Sequence, residues 1–421
     1  MRYVESTLKM LHPPKLMVPP GGFEPPTTVP KTAVISISPR RQIFLRYTII
    51  SKLAYNFDMT HMTTQELTKM QIKRIEKEIR DTPYHKGTEH YIGLLRAKLS
   101  KLKDKVIEHD VKAKGGGGGG YAVKKQGDAT LVLIGPPSAG KSTLINKLTN
   151  ANSKIAPYAF TTVSVIPGMM HYKNAYIQIL DVPGLIEGAE EGKGRGREVL
   201  SVARGADLLV LITDTERIVA LERIKNALER NGIRINKKHP NVFIDKKLSG
   251  GITVHSNIKQ DLTDEMIEEI ASEFGVKNGD IIIKEKFTLE MLIDSFSRSR
   301  VYVPVLEVVN KIDLNNKTEA NENIIPISAE NNINIDKLKE AIWDKLNLIN
   351  IYLVKPDEDP GTDNPMVIKK GLNIRDVLTL LGEDFAQNKN KVVIWGSGAK
   401  YPAQEVSFST QVQEGMMIRF L

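Results

Sequence analysis

Cysteine is absent from the 421 residues, which excludes disulfides and cysteine-ligated zinc and suits a reducing cytoplasm. Long apolar runs are lacking too. None approaches the ~18 residues needed to cross a membrane, so no membrane partner is expected. An acidic surplus is also missing: the formal net charge is +9. That charge is uneven. Residues 1–58 carry eight Lys/Arg against three Asp/Glu, residues 59–120 carry thirteen against eight, and the remainder carries 38 against 39. A polyanionic partner is therefore expected at the N-terminal end. The length allows two to four domains with a substantial core.

Residues 1–58 hold eight of the 21 prolines and show no sustained period. PGGFEPPT at 20–27 resembles a translated transfer-RNA gene, so this segment reads as a start-site artefact with Met59 or Met62 as the beginning. The alternative is a disordered basic extension. Thr63-x-x-Glu66 is a capping box that opens a helix with Leu67, Met70, Ile75 and Ile79 on one side. Pro83 and Gly87 break it, and a second helix follows from about Thr88, making a helical hairpin over 62–114. Lys98, Lys101 and Lys105 on the second arm read either as an ordinary solvated face or as a phosphate-contacting ridge. Six glycines at 115–120 begin a linker to residue 128. From 129 to 350 strand and helix patterns alternate, interrupted at 222–300 by a stretch with its own helices and strand, which reads as an inserted small α/β domain. Residues 352–421 form a last unit of short strands and one helix.

The chemistry is carried by five short segments, each placed after a strand. The apolar run 129–134 leads into GPPSAGKST at 135–143, which fits G-x-x-x-x-G-K-[ST] and is followed by helical spacing. The backbone of Gly135, Pro136, Pro137, Ser138, Ala139 and Gly140 would cradle phosphates, together with the helix N-terminus through Thr143. Lys141 would reach the β/γ-phosphates and Ser142 would ligate Mg²⁺. Asp181-Val182-Pro183-Gly184 supplies a carboxylate for Mg²⁺, and the Gly184 N–H suits a γ-phosphate oxygen. Between them Phe160-Thr161-Thr162 can close a hydroxyl over the metal; Thr162 is chosen, though spacing leaves Thr161 open. In Asn310-Lys311-Ile312-Asp313, the Asp313 carboxylate can accept the paired donors of guanine, Lys311 can lie along the ring and Asn310 can tie the loop. Ser328-Ala329 follows a strand, where the Ala329 N–H could meet guanine O6. The order of the five points to a guanine-nucleotide switch rather than an ATP-driven enzyme. Leu185 occupies the place where many GTPases carry a water-orienting Gln, so slow intrinsic turnover is expected. A competing reading is an RNA-binding ribosome-assembly module in which the nucleotide is mainly a conformational ligand; measurable turnover separates the two.

With GPPSAGKSTL, FTTVSVIPG, DVPGLIEGAEEGKGRGREVLSVARGAD, NGIRINKK, GGITV, RVYVPVLEVVNKIDL and VIWG, residues 62–421 resemble the developmentally regulated GTP-binding protein branch of the Obg-related GTPases, in an archaeal-type form. The resemblance implies an α/β fold: a P-loop GTPase domain with an N-terminal helical hairpin, an inserted ribosomal-protein-like domain and a C-terminal β-grasp (TGS) domain. It implies GTP hydrolysis to GDP and phosphate, with catalytic roles for Lys141, Thr162 and Gly184 and metal ligation by Ser142, Thr162 and Asp181. It further implies coupling to ribosomes and ribosomal RNA rather than DNA, a stabilising partner protein, a cytoplasmic location and, in some members, K⁺ stimulation. Three residues depart from the family's habit. Pro136 replaces an aromatic or apolar residue, Ala159 replaces the proline before Phe160, and Ser138 stands where K⁺-activated cousins often carry asparagine. On this reading the hairpin docks on RNA through Lys98, Lys101 and Lys105, together with the β-grasp unit.

Overall fold

The computed structural model describes residues 63–112, 126–149, 166–182, 196–314, 323–387 and 389–421. The readings placed on residues 1–58, the glycine run, Ala159, Thr161, Thr162 and 183–185 lie outside them. Two helices come first, α1 (Thr64–Asp81) and α2 (Glu89–Lys112). α1 buries Ile75 toward α2, while Met70, expected on the same apolar side, is 44% exposed. The two positions lie on different sides of a 3.6-residue helix. Polar contacts tie the pair as well: Lys103 meets Glu76 at 2.9 Å, and the Tyr91 hydroxyl donates to Glu78.

The next stretch runs β1 (Ala129–Ile134), α3 (Lys141–Leu148), β2 (Ile166–Tyr172), β3 (Ala175–Asp181), α4 (Gly196–Arg204), β4 (Leu208–Asp214) and α5 (Val219–Arg230). Then come β5 (Ile233–Ile235), β6 (Val242–Lys246), β7 (Ile252–Ser256), α6 (Asp264–Glu273), β8 (Gly279–Ile283), α7 (Leu289–Phe296) and β9 (Val301–Val303). β10 (Val305–Asn310), β11 (Ile324–Pro326) and α8 (Ile335–Leu346) complete the central body. Its six-stranded sheet has the order β11-β10-β4-β1-β3-β2, parallel throughout except for the β2–β3 pair. β1 and β4 are buried along their whole length, which is why their sequences are continuous apolar runs without alternation. Successive side chains still serve opposite faces. Leu131 and Leu133 join Leu144 of α3 and Leu338 of α8, whereas Val132 and Ile134 join Val199 of α4 and Leu221 of α5.

That second cluster corrects the expected insertion boundary at 222. Leu221, Ile224 and Leu228 place the apolar stripe of α5 in the core of the central sheet, and β5 pairs with β9 just beyond it. The inserted unit therefore lies between β5 and β9. It contains the sheet β6-β8-β7 covered by α6 and α7, with a core of its own around Ile267, Ile281 and Leu292. Both helices start on a threonine cap: Thr263 accepts from the Met266 N–H and Thr288 from the Met291 N–H.

α2 spends its remaining side on this unit. Ala97 is fully buried in its core, His90 lies 3.1 Å from Glu269, and Lys101 donates to the Glu273 carbonyl and lies 3.3 Å from its carboxylate. The expected ridge of Lys98, Lys101 and Lys105 is therefore broken. Its middle member is half-buried and satisfied at the C-terminus of α6, where a cation is favoured. Beneath it, Asp104 of α2 takes hydrogen bonds from Ser297 and Ser299, while Arg300 and Arg234 converge on Asp294 of α7.

The chain ends in β12 (Leu348–Leu353), β13 (Pro365–Lys369), α9 (Ile374–Leu380), α10 (Glu383–Ala386), β14 (Val392–Gly396), β15 (Gln404–Glu405) and β16 (Met416–Phe420). These strands form a five-stranded sheet in the order β13-β12-β16-β14-β15, with α9 packed on one side. Asn373 and Asp376 close a reciprocal capping box at the start of α9. No helix among the described residues is long and apolar enough to cross a membrane.

Candidate nucleotide site

The C-terminal ends of β1, β3, β4 and β10 lie side by side, and the residues that follow them converge there. Ligands of open α/β sheets bind at this edge. After β1 the chain passes so close to β4 that a Cβ on Gly135 would lie 2.1 Å from the Ile212 carbonyl oxygen. At the other end of the loop Gly140 holds φ +87°, and a Cβ there would lie 2.2 Å from Asn310 Nδ2. Glycine meets both requirements without strain. Ala139 is buried beneath the loop, Pro137 and Ser138 are exposed, and Ser138 takes a left-handed φ of 60°. Thr143 is half-buried in the first turn of α3.

Lys141 turns back across this loop. Its ammonium donates to the Gly135 carbonyl at 3.1 Å and to the Pro136 carbonyl at 3.0 Å. Burial pushes it below the ordinary lysine range; Asp181 opposes that shift and Arg217 adds to it. The Ser142 hydroxyl donates to Asp181 Oδ2 at 3.4 Å. The other oxygen, Asp181 Oδ1, is buried without a hydrogen-bond partner. Burial raises the Asp181 carboxyl, against the pull of Lys141 and the Ser142 hydroxyl. An ionisable oxygen left in that condition marks a place for an ion or water.

Asn310 fastens the other side. Its Nδ2 donates to the Ala139 carbonyl at 2.9 Å, and its Oδ1 accepts the Ala329 N–H at 2.9 Å. One side chain thereby joins the loop after β1 to the loop after β11. The Ala329 N–H, expected to meet guanine O6, is committed to Asn310 in this structure. Ser328 beside it is fully buried, and its hydroxyl accepts the Asn331 N–H at 3.2 Å. Lys311 sits at φ 63°, and Asp313 stands exposed on the turn that follows. Thr162 and Gly184 lie outside the described residues.

A family model described as 50S ribosome-binding GTPase matches residues 130–246, and one described as the C-terminal region of that domain matches 249–348. An uncharacterized GTP-binding protein of Methanocaldococcus jannaschii is 44% identical over 356 residues, covering 82% of this chain and 90% of that one. Developmentally-regulated GTP-binding protein 2 of Homo sapiens is 36% identical over 357 residues, covering 83% and 98%. The chain belongs to the developmentally regulated GTP-binding protein family. Among solved structures, the YchF GTPase of Schizosaccharomyces pombe aligns over 71% of this chain and 99% of its own, at 14% identity and a TM-score of 0.40.

Membership makes the chain a P-loop GTP-binding protein, and the structure brings to the same edge two residues that the motif reading passed over. Asp214 ends β4 in register with Asn310 of β10. Arg217 donates to it through Nε at 3.1 and 3.2 Å, and the Arg217 N–H donates to the same carboxylate at 3.1 Å. The Arg217 hydrogen bond holds the Asp214 carboxyl below its usual range, with Lys311 adding a smaller pull. This GTPase thus sets an ion pair between Lys141 and Lys311. The only local trace of it is an Asp and an Arg three residues apart after a strand.

Proposed function

We propose that the protein is a magnesium-dependent GTPase that hydrolyses GTP to GDP and phosphate and acts as a ribosome-associated switch. The observation that carries the reading is the convergence of Lys141, Ser142, Asp181 and Asn310 at one sheet edge, with Asp181 Oδ1 buried and unpaired. Backbone N–H groups of Gly135 and of Ser138 to Thr143 bind the phosphates, the two prolines between them having no N–H to give, and Lys141 exchanges its two carbonyl partners for β/γ-phosphate oxygens. Ser142, Thr162 and Asp181 hold Mg²⁺, the last through water, while the Gly184 N–H meets the γ-phosphate. Mg²⁺ takes few protein ligands beside phosphates. Among the described residues no cluster of three or more His, Asp or Glu side chains could hold a metal unaided. Asp313 selects guanine, Lys311 lies along the base and Asn310 fixes the loop, with Ser328 and Ala329 closing the base side.

The family model's description as a 50S ribosome-binding GTPase supports the ribosomal role. On this reading α1 and α2 are the helical hairpin, the five-stranded terminal unit is the TGS domain, and the protein works in the cytoplasm. Leu185 cannot orient water, so the ribosome or a partner protein completes the site, as trans-acting groups do elsewhere.

One experiment tests these points together: single-turnover hydrolysis of GTP and XTP, with and without added ribosomes. Wild type should hydrolyse GTP slowly and faster with ribosomes. Lys141→Ala should lose orders of magnitude, and Asp313→Asn should shift preference toward XTP. Absence of turnover in wild type would leave the nucleotide as a conformational ligand only. Turnover that ribosomes leave unchanged would remove the switch role.

A further inference from the structure

The basic surplus at this end of the chain has to face something, and α2 presents only part of it. Of the α2 cations, Lys101 is held by Glu273, Lys103 by Glu76, and Arg96 lies 4.0 Å from Glu290, which leaves Lys98 and Lys105 as its exposed cations outside any ion pair among the described residues. The outward side of α1 is different. Lys73, Arg74, Lys77 and Arg80 are all exposed, and among the described residues none of the four is held in an ion pair. Lys73, Lys77 and Arg80, spaced by four and three residues, lie on one face opposite Ile75, with Arg74 at its edge. Of the helix's acids, Glu76 pairs with Lys103 and Glu78 accepts the Tyr91 hydroxyl, while Glu66 and Asp81 are exposed near its two ends. Between those ends charge is sorted across α1, with Glu76 and Glu78 toward α2 and the four cations toward solvent.

We infer that this outward face of α1 is a docking surface for the phosphate backbone of duplex RNA. The inference rests on the ribosomal reading for its choice of RNA over other polyanions. A helix that lies on a membrane buries its apolar face in the lipid, and here that face is occupied by α2. Single-stranded nucleic acid is held by aromatic platforms. The stripe has none, Met70 being its only large exposed apolar side chain among the described residues. A row of cations without aromatics suits phosphates and carries little sequence preference.

The test uses the full chain and three variants: K73Q/R74Q/K77Q/R80Q on α1, K98Q/K105Q on α2, and both sets together. Affinity for a short RNA duplex is measured across a salt series. Glutamine keeps helix propensity close to that of lysine and arginine, and unchanged melting of each variant checks the fold. The α1 variant should lose at least about tenfold in affinity, and its salt slope should fall by roughly three, near one for each phosphate it no longer neutralises. The α2 variant should stay near wild type, and basal GTP turnover should not change. Wild-type affinity and slope in the α1 variant would overturn the inference. So would preference of the wild type for single-stranded RNA, phosphatidylserine vesicles or polyglutamate over the duplex. Ribosome co-sedimentation separates the two readings. If wild type ignores ribosomes yet the duplex result holds, the switch role falls and the docking face stands. If the α1 variant sediments with ribosomes at wild-type salt dependence, the docking face falls alone.

Discussion

Asp181 shows how a residue can be costly to the fold and useful to the site. Its carboxyl is raised chiefly by burial, and one oxygen has no partner. The native protein therefore takes up a proton there more readily than the unfolded chain. The cost of the charge is absent below the unfolded pKa and complete once pH exceeds the folded one. Asp181→Asn should accordingly stabilise the nucleotide-free protein at neutral pH by about 1–2 kcal/mol, the scale of an unsatisfied buried group. The gain should shrink as pH falls toward the unfolded carboxyl range. Mg²⁺-dependent GTP binding should weaken in the same variant. Thermal melting across pH, with and without Mg·GTP, checks both signs; a destabilised variant at neutral pH would mean that the Lys141 attraction outweighs burial. Such opposition of stability and function is common at working sites.

At the scale of elements, the buried ion network beneath α2 is a fastening. Asp294 of α7 receives Arg300 Nε and Arg234 Nη2, both at 2.7 Å, and all three side chains are largely removed from water. Asp294→Ala leaves two guanidiniums facing each other and should cost about 3–5 kcal/mol. Asp261→Ala, which breaks the exposed pair with Lys286 at 2.9 Å, should cost no more than about 1 kcal/mol. Urea unfolding of the two variants makes the comparison; equal small losses would mean that water reaches Asp294.

This is also the scale at which the sequence stops being readable. The loops at 135–143 and 310–313 were legible because strand, loop and helix adjoin in the chain and each carries its own glycine or strand-end signal. The join between them, Asn310 to Ala139, was legible only as a loop tie without a named partner. Lys101 and Lys98 look alike by spacing, but what packs on a helix face is a tertiary fact. α5 is likewise legible as a helix, but which core covers it is not. The Asp214–Arg217 pair gains its position from β4 lying between β1 and β10, a long-range pairing that no local pattern encodes.

On the scale of the molecule, the described residues build separate cores joined by narrower seams. The central sheet has a cluster on each face, the inserted unit has its own, and the terminal sheet has another. Every candidate nucleotide residue among them lies in or beside the central sheet. β12 crosses the seam to the terminal unit: Leu348 joins the central core, while Ile349 and Ile351 join the terminal one. Beside it the connections are polar, with Lys369 at 3.1 Å from Asp207 and Asn174 Nδ2 at 3.3 Å from Asn350. A ligand stabilises only what must be folded to bind it, by about 2.7 kcal/mol at a hundredfold excess over Kd. Saturating Mg·GTP should therefore slow amide exchange in β1, β3, β4 and β10 by nearly two orders of magnitude if these strands exchange by opening the central sheet. Protection should fade along β12 and be small in β14 and β16, whose amides can open without disturbing the site. Hydrogen exchange read by mass spectrometry resolves these segments. Equal protection of β14 and β16 would show that the seam transmits the whole binding free energy, making the terminal sheet part of one cooperative unit with the nucleotide site.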